Sequence, residues 1–234
     1  SLGQTLFQRT ADGFVLTDEG TAVFAGAERI EEEALAMERV LAGGSRQLDG
    51  FLRLSSSDWF GAHVLSPVLA EFSQLHPKVV VELLTDSRLL SLPRREADLV
   101  FRIQPFTEAE IISRKLIHIK YGLYIRRGAP HPRAFDGVGA RLVTMDQAFG
   151  DMPDAGWLQR LLPRAEIVMR SNSRDVQAAL CANGAGLAVL PRPLGDSHAA
   201  IELVDLGEPP PGRDTWVGYH RDMKRLARLR ALLD

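Results

Sequence analysis

From residue 50 onward, short apolar runs alternate with segments of helical periodicity, and this alternation limits the fold more than any other feature. The run FLRLSSS at 51–57 is typical of a strand, and the segment after it places Leu69 and Phe72 on one face of a helix. A buried strand is predicted at 79–84. Strands that alternate with helices at this spacing predict βαβ units, a largely parallel sheet and an α/β fold.

The alternation occurs twice, which predicts two α/β lobes. The chain is expected to pass between them near 121–127 and again near 204–220, where extended runs continue from one unit into the other. We assign 50–126 and 208–234 to the first lobe and 127–207 to the second. The other predicted elements are a short helical segment at 87–97, strands at 98–103, 112–125, 141–145, 165–170, 187–190, 201–206 and 215–220, and helices at 155–162, 174–183 and 222–234.

Residues 1–17 form a separate unit that predicts a β-hairpin. Strand-like pairs flank a turn in which Gly13 can adopt positive φ. Thr17 is predicted to cap the helix that follows, and Asp18 and Glu19 place negative charge in its first turn.

Residues 18–49 are assigned to a linker helix and a hinge. Apolar and small residues in the helix are separated alternately by three and four positions, which is a heptad pattern. This pattern fits a helix that lies on its own domain or one that pairs with another chain. We favour dimerisation, because AGGSRQLDG ends the helix in a linker rather than a tight turn. The predicted seam consists of Gly20, Val23, Ala27, Ile30, Ala34, Met37 and Leu41.

The composition excludes several classes of protein. A net charge of −2 argues against a chain that binds nucleic acid over most of its surface. The single cysteine, Cys181, cannot form an internal disulfide, and its small-residue helical context predicts a buried thiol. No stretch approaches the roughly 18 consecutive apolar residues that a membrane-spanning helix needs, so no such helix is predicted. No secretion signal opens the sequence, so we expect a cytoplasmic protein.

The sequence contains no recognisable catalytic or metal-binding motif. The six histidines form no HExxH, and neither a GxSxG nor a P-loop motif occurs. The Gly-x-Gly at 184–186 follows a predicted helix and precedes a strand, which is the reverse of the nucleotide-binding order. We therefore predict no enzyme activity, no metal and no cofactor.

Polar residues at the carboxyl ends of predicted strands predict a ligand cleft instead. Small molecules bind at such ends in open α/β sheets, where free backbone N–H groups of a helix start attract anions. Any one of these serines or asparagines could equally be a helix cap, and an arginine there could be a surface ion-pair partner. The candidate ligand-binding residues are Ser55, Ser56, Ser57, Arg102, Gln104, Ser171, Asn172 and Ser173.

The first twenty residues, SLGQTLFQRTADGFVLTDEG, resemble the end of the DNA-binding domain of LysR-type transcriptional regulators. The matching positions are Leu2-Gly3, Leu6-Phe7-Gln8-Arg9 and Leu16-Thr17-Asp18-Glu19-Gly20. Further along, GFLRLSSS, LAEFSQLHPKVVVEL, READLVFRI and SNSRDVQAALCANGAGLAVLP are similar to segments of that family's effector domain. The resemblance covers essentially the whole chain.

The resemblance implies a winged helix-turn-helix, a dimerising linker helix and a two-lobed effector domain related to periplasmic binding proteins. Most of the helix-turn-helix, on the order of 45 residues, would precede residue 1. Arg9 and Thr10 match the family's backbone-contacting positions on the wing, and Asp12 at its tip would repel phosphate. The implied partners of the intact protein are DNA, a small-molecule co-inducer and further copies of the chain in a homodimer or homotetramer.

The leading hypothesis is therefore a transcriptional regulator that senses a small anionic or polar molecule. The alternative is a solute-binding protein that delivers a small polar molecule to a transporter, since a two-lobed architecture alone would fit that function. The absence of an export signal and the fusion of a heptad helix to a hairpin argue against it. A two-lobed enzyme is a third possibility for which the sequence offers no catalytic set.

Overall fold

The structure is a computed structural model, and it describes residues 5–10, 13–41, 48–85, 92, 96–149 and 152–234. Side chains at 10, 13, 25, 28, 31–33 and 35–41 lie outside this description. Asp12 and most of the predicted helical segment at 87–97 also lie outside it.

The N-terminal segment forms the predicted hairpin and helix. Strands β1 (Phe7–Thr10) and β2 (Gly13–Leu16) pair antiparallel, and helix α1 (Asp18–Leu41) follows. Thr17 caps the helix as predicted, because its Oγ1 accepts a hydrogen bond from the Gly20 N–H at 2.9 Å. A side chain at Gly20 would collide with the Leu6 carbonyl, so the glycine allows the hairpin to pack against the first helical turn.

Helix α1 contacts the first lobe on one side and exposes apolar residues elsewhere. Arg29 forms an ion pair with the buried Asp98 at 3.2 Å. Val23 is 41% exposed and Ile30 is 73% exposed, although both belong to the predicted seam. The helix thus lies partly on its own domain and leaves seam residues open to solvent, and its dimerisation stays a prediction.

The first lobe is built on a five-stranded sheet in the order β4-β3-β5-β12-β6. A helical stretch follows β3, and its middle is a π-helical turn rather than the regular α-helix that we predicted. The elements are β3 (Asp49–Ser56), α2 (Asp58–Phe60), the π-turn (Gly61–Leu65), α3 (Ser66–Leu75), β4 (Lys78–Thr85), β5 (Leu99–Arg102), β6 (Ile111–Ile119), and later β12 (Arg213–His220), a 3-10 turn (Arg221–Arg225) and α7 (Ala227–Leu233).

The second lobe is built on another five-stranded sheet, in the order β11-β7-β10-β8-β9. Its helices α4 and α5 lie where they were predicted, and one further short helix, α6, was not foreseen. The elements are β7 (Tyr121–Arg126), β8 (Arg141–Thr144), a 3-10 turn (Gln147–Phe149), α4 (Pro153–Leu161), β9 (Glu166–Arg170), α5 (Arg174–Ala182), β10 (Leu187–Pro191), α6 (Arg192–Ser197) and β11 (Ile201–Val204).

The prediction of a largely parallel sheet is wrong, because both sheets are mixed. Strand β3 pairs parallel with β4 and β5, whereas β12 pairs antiparallel with β5 and β6. In the second sheet, β8 pairs parallel with β9 and β10, whereas β7 pairs antiparallel with β10 and β11. The strands that carry the chain between the lobes pair only antiparallel with their neighbours. These strands are β6, β7, β11 and β12.

The first crossing lies earlier than the predicted lobe boundary. We expected the first lobe to extend to residue 126, but β7 belongs to the second sheet and the chain crosses at Lys120, between β6 and β7. The backbone remains extended while it changes sheets. The crossing therefore leaves no turn signal in the run ISRKLIHIKYGLYI. The second crossing, at 205–212 between β11 and β12, falls within the expected 204–220.

Buried apolar side chains of both lobes belong to one contiguous core. Trp59 of the first lobe contacts Tyr121, the first residue after the crossing, edge to face with ring centroids 6.5 Å apart. This contact lies beside the crossing, so the base of the cleft between the lobes is part of the core.

Candidate functional site

A cleft of about 340 Å³ lies between the lobes, within the size range of small-molecule sites. Residues from the ends of β3 and β5, from the start of α5 and from the starts of β7 and β12 line it. Seven of the eight candidate residues are in this lining, namely Ser55, Ser56, Ser57, Arg102, Gln104, Asn172 and Ser173. Whether they bind an effector stays a prediction.

Ser171 is the candidate that does not line the cleft. Its Oγ accepts a hydrogen bond from the Ser173 N–H at 3.2 Å, and its carbonyl accepts one from Gln177 Nε2 at 2.7 Å. Ser171 therefore shapes the loop that leads into α5.

The serines at the end of β3 differ in their surroundings. Ser55 and Ser56 are buried, and Ser56 Oγ donates to the Ser57 carbonyl at 3.0 Å. Ser57 occupies the N-cap position of α2, but its side chain makes no capping hydrogen bond. Asp58 accepts the Trp59 N–H instead, at 2.8 Å. The reading of Ser57 as a side-chain cap is therefore wrong, and its hydroxyl is not used at the helix start.

Ser173 caps α5 and also joins the two lobes. Its Oγ accepts a hydrogen bond from the Val176 N–H at 3.4 Å and donates to Asp58 Oδ2 of the first lobe. A second contact between the lobes joins His63 Nε2 to Asp175 Oδ1 at 3.2 Å. The cleft is thus bounded by polar contacts between the start of α5 and the helical stretch after β3.

Arg102 lines the cleft and is held by contacts within its own lobe. Its guanidinium donates to the carbonyls of Gln104 and Pro105 and forms an ion pair with Glu108 at 3.2 Å. It also stacks over the Phe106 ring, 3.8 Å from the centroid. Backbone hydrogen bonds lower the pKa of Glu108, and Arg102 lowers it further. Arg102 is therefore an ion-pair partner of Glu108, and whether it also contacts a ligand stays a prediction.

A buried group of charged residues at the base of the cleft was not predicted from the sequence. Asp154 of α4 pairs with Arg174 of α5 at 3.1 Å and also with Arg213 of β12. Arg213 belongs to the first sheet, so its ion pair joins the lobes. The three side chains are each less than a tenth exposed. This group could not be recognised from the sequence, since Arg213 and Asp154 lie 59 positions apart in the chain.

Tyr121 packs between the two arginines of this group. The guanidinium carbon of Arg213 lies 4.7 Å from the ring centroid, and that of Arg174 lies 5.6 Å away. Burial raises the pKa of the Tyr121 hydroxyl, and the two arginines oppose this effect. Tyr121 therefore remains neutral and supports both cations with its ring.

Cys181 is buried, as its sequence context predicted. Its Sγ donates to the Tyr124 carbonyl at 3.4 Å, and burial raises the pKa of the thiol to about 11. The thiolate, which is the reactive form of cysteine, is therefore disfavoured at neutral pH.

The hairpin presents Arg9 to solvent on β1, opposite Phe14 of β2. Thr10 is the last residue of β1, and its side chain lies outside the described part of the structure. Within the described residues, no helix is both long and apolar enough to span a membrane. In the same part of the chain, no three His, Cys, Asp or Glu side chains are grouped so as to hold a metal ion.

Comparison with protein-family models matches residues 45–234 to the LysR substrate binding domain. The chain is 22% identical over 209 residues to the HTH-type transcriptional regulator CrgA of Neisseria meningitidis serogroup C (strain 8013), a match that covers 85% of this chain and 69% of that protein. It is 29% identical over 116 residues to the HTH-type transcriptional regulator DmlR of Escherichia coli (strain K12), which covers 50% of this chain and 38% of DmlR.

A solved structure of CrgA, a LysR-type transcriptional regulator from Neisseria meningitidis, has the same fold. It superimposes with a TM-score of 0.69 at 22% identity and covers 99% of this chain and 82% of that one. These relatives are named as regulators rather than enzymes. Because the family match extends over most of the chain, the chain belongs to the LysR-type transcriptional regulators, and residues 45–234 are their substrate-binding domain.

Proposed function

We propose that this chain is part of a DNA-binding regulator whose cleft binds a small anionic or polar effector. The observation that carries the proposal is the convergence of polar residues from both lobes on one cleft, within the substrate-binding domain of a regulator family. Ser55, Ser56, Ser57 and Gln104 would contact the effector from the first lobe, and Asn172 and Ser173 from the second.

An effector that contacts both lobes can act by changing the angle between them. The Ser173–Asp58 and His63–Asp175 contacts already join the lobes in this structure. A ligand shifts such an equilibrium only if it binds one arrangement more tightly than the other. The resulting change in lobe angle would alter the spacing of the DNA-reading units in an oligomer.

DNA contact is proposed for the hairpin in the intact protein. Arg9 is exposed on β1, where a cation can contact a phosphate without reading sequence. Thr10 would contact the backbone beside it. A cytoplasmic location belongs to the same proposal, because promoter DNA lies there.

Self-association through α1 is proposed for the same protein. Val23 and Ile30 are exposed apolar residues on the predicted seam. A dimer through this seam would bury them, and dimers could pair further into tetramers. Transport of a solute is not favoured, because the family match and the relatives are regulators.

Promoter footprinting tests the DNA-binding half of the proposal. The protein used should carry the helix-turn-helix that the family resemblance implies, and the probe is its own upstream DNA. We expect protection that weakens in Arg9→Ala and weakens further as salt rises, since phosphate contacts release counterions. A folded dimer of that protein that protects no DNA would contradict the proposal.

A thermal-shift and calorimetric screen of small carboxylates tests the effector half. A ligand that binds through Ser57 or Asn172 should lose roughly tenfold in affinity when the residue is changed to alanine, as expected for a lost hydrogen bond to a charged group. Ser73→Ala is the matched control, because Ser73 is exposed on α3 and does not line the cleft. Equal affinity in all three variants would show that the wrong residues were chosen.

A further inference from the structure

Two buried polar side-chain atoms at the base of the cleft, Arg213 Nε and Thr215 Oγ1, lack hydrogen-bond partners among the described residues. Arg213 and Thr215 both line the cleft. They are two positions apart on β12, so they lie on the same face of the first sheet. Arg213 Nε and Thr215 Oγ1 are inaccessible to solvent and have no hydrogen-bond partner among the described residues. A buried donor without a partner is costly, so a pair of them beside a cavity indicates a missing ligand.

The local charge favours an anion at this position. Arg174 is fully engaged within the second lobe, where it donates to Asp154, to Gln177 Oε1 at 3.0 Å and to the Val189 carbonyl at 2.7 Å. Asp154 must therefore serve two guanidinium groups with one negative charge. The three side chains carry one excess positive charge in a buried site, where an unbalanced charge is unfavourable.

Asp58, the carboxylate of the described cleft lining, does not supply this charge. Asp58 accepts hydrogen bonds from Ser173 Oγ and from the Trp59 N–H. Arg102, the remaining cation of the lining, is already paired with Glu108. An anionic group is thus lacking beside Arg213 and not elsewhere in the cleft.

Most of the accessible surface of the cleft is apolar, which limits the ligand further. A group that satisfies Arg213 and Thr215 would be surrounded by side chains that exclude water and favour an apolar body. The apolar and aromatic side chains of the lining are Trp59, Phe60, Val100, Phe101, Ile103, Tyr121, Met145, Phe149 and Met152.

We propose that the effector is a monocarboxylate with an apolar body, and that Arg213 Nε and Thr215 Oγ1 bind its carboxylate. The proposal rests on the proposed effector function of the cleft and assigns the anion subsite to β12 rather than to the predicted serines. A charge-assisted hydrogen bond from Arg213 and one from the Thr215 hydroxyl would hold the two oxygens.

Binding at this position would also affect the contact between the lobes. Arg213 belongs to the first sheet and Asp154 to the second lobe. A ligand carboxylate on Nε would share the guanidinium with Asp154 and partly neutralise its charge, which would weaken the ion pair that joins the lobes. Occupancy of the subsite is thereby coupled to the lobe angle.

Isothermal titration of the 234-residue chain with benzoate and hexanoate, and with their uncharged amides, tests the proposal. We expect the carboxylates to bind and the amides to bind at least tenfold more weakly. Thr215→Val should reduce carboxylate affinity roughly tenfold. The melting temperature of the ligand-free protein should not fall, since the lost hydroxyl has no partner. Arg213→Lys keeps the charge but removes the Nε–H donor, and should also reduce carboxylate affinity.

Thr85→Val is the matched control, because Thr85 lines the same cleft at the end of β4 and is exposed. Its carboxylate affinity should equal that of the unmodified chain. The proposal is overturned if both amides bind as well as the acids, if neither acid binds at millimolar concentration, or if the two threonine variants behave alike. DNA protection and an effector of another chemical class would survive those results, so the proposed function is tested separately.

Discussion

Asp154 accepts hydrogen bonds from two arginines that belong to different lobes. It lies in the first turn of α4, where the helix dipole also favours a negative charge. Removing a carboxylate from such a group leaves cations buried without a counter-charge, which costs more than the pair contributes by being formed.

Asp154→Asn should therefore lower the free energy of unfolding by about 3–5 kcal/mol. Asp136→Asn is the matched control, because Asp136 pairs with Arg164 at the surface, where its side chain is 34% exposed. An exposed pair of this kind contributes at most about 1 kcal/mol. Urea titration followed by circular dichroism measures both. Similar losses in the two variants would contradict the energetic importance assigned to the buried group.

At the scale of elements, α6 shows why a short helix was missed. Its sequence RPLGDS contains proline and glycine, which usually interrupt helices, but the proline lies in the first turn, where its missing N–H has no cost. Gly195 is required by packing, since a side chain there would overlap the Tyr124 ring. The second reason cannot be read from local sequence, because it depends on a residue in β7.

We expect the exposed seam of helix α1 to mediate dimerisation. Ile30→Glu places a charge on the predicted seam, and it should shift the chain from dimer towards monomer because a glutamate cannot be buried there without a partner. Sedimentation equilibrium measures the shift. Ala22→Glu introduces the same charge at an exposed position off the seam and should leave the association constant unchanged. If Ile30→Glu associates as the unmodified chain does, the seam is not the interface.

At the scale of the whole molecule, the two lobes are joined by two crossings, a shared core and a buried ion pair. These links predict that the lobes unfold together in spite of their separate sheets. Hydrogen exchange in increasing urea should show that amides of β3 and β5 lose protection at the same concentration as those of β8 and β10. Two well-separated transitions would show that the lobes are independent folding units.

Some residues of the site could be predicted from the sequence and others could not. Ser55, Ser56, Ser57, Asn172 and Ser173 were found because the carboxyl ends of strands are recognisable from the pattern of apolar runs, and all five line the cleft. Arg213, Asp154 and Tyr121 were not found, because each is unremarkable within its own segment. Their importance arises from contacts between segments that are distant along the chain.

The sequence by itself determined the features that depend on neighbouring residues. These are the hairpin, the Thr17 cap, the helix of residues 18–41, the two strand–helix alternations and the family to which the chain is similar. Their causes are turn chemistry, capping and periodicity, which act over a few positions.

The tertiary structure alone decided which sheet β7 joins, which strands pair antiparallel, and which charged side chains meet at the base of the cleft. An extended segment has the same local pattern whichever sheet it joins. The sequence around an arginine likewise does not show whether its carboxylate partner is near or far in the chain. These choices are made by packing, where burial of one charge requires another from a different part of the fold.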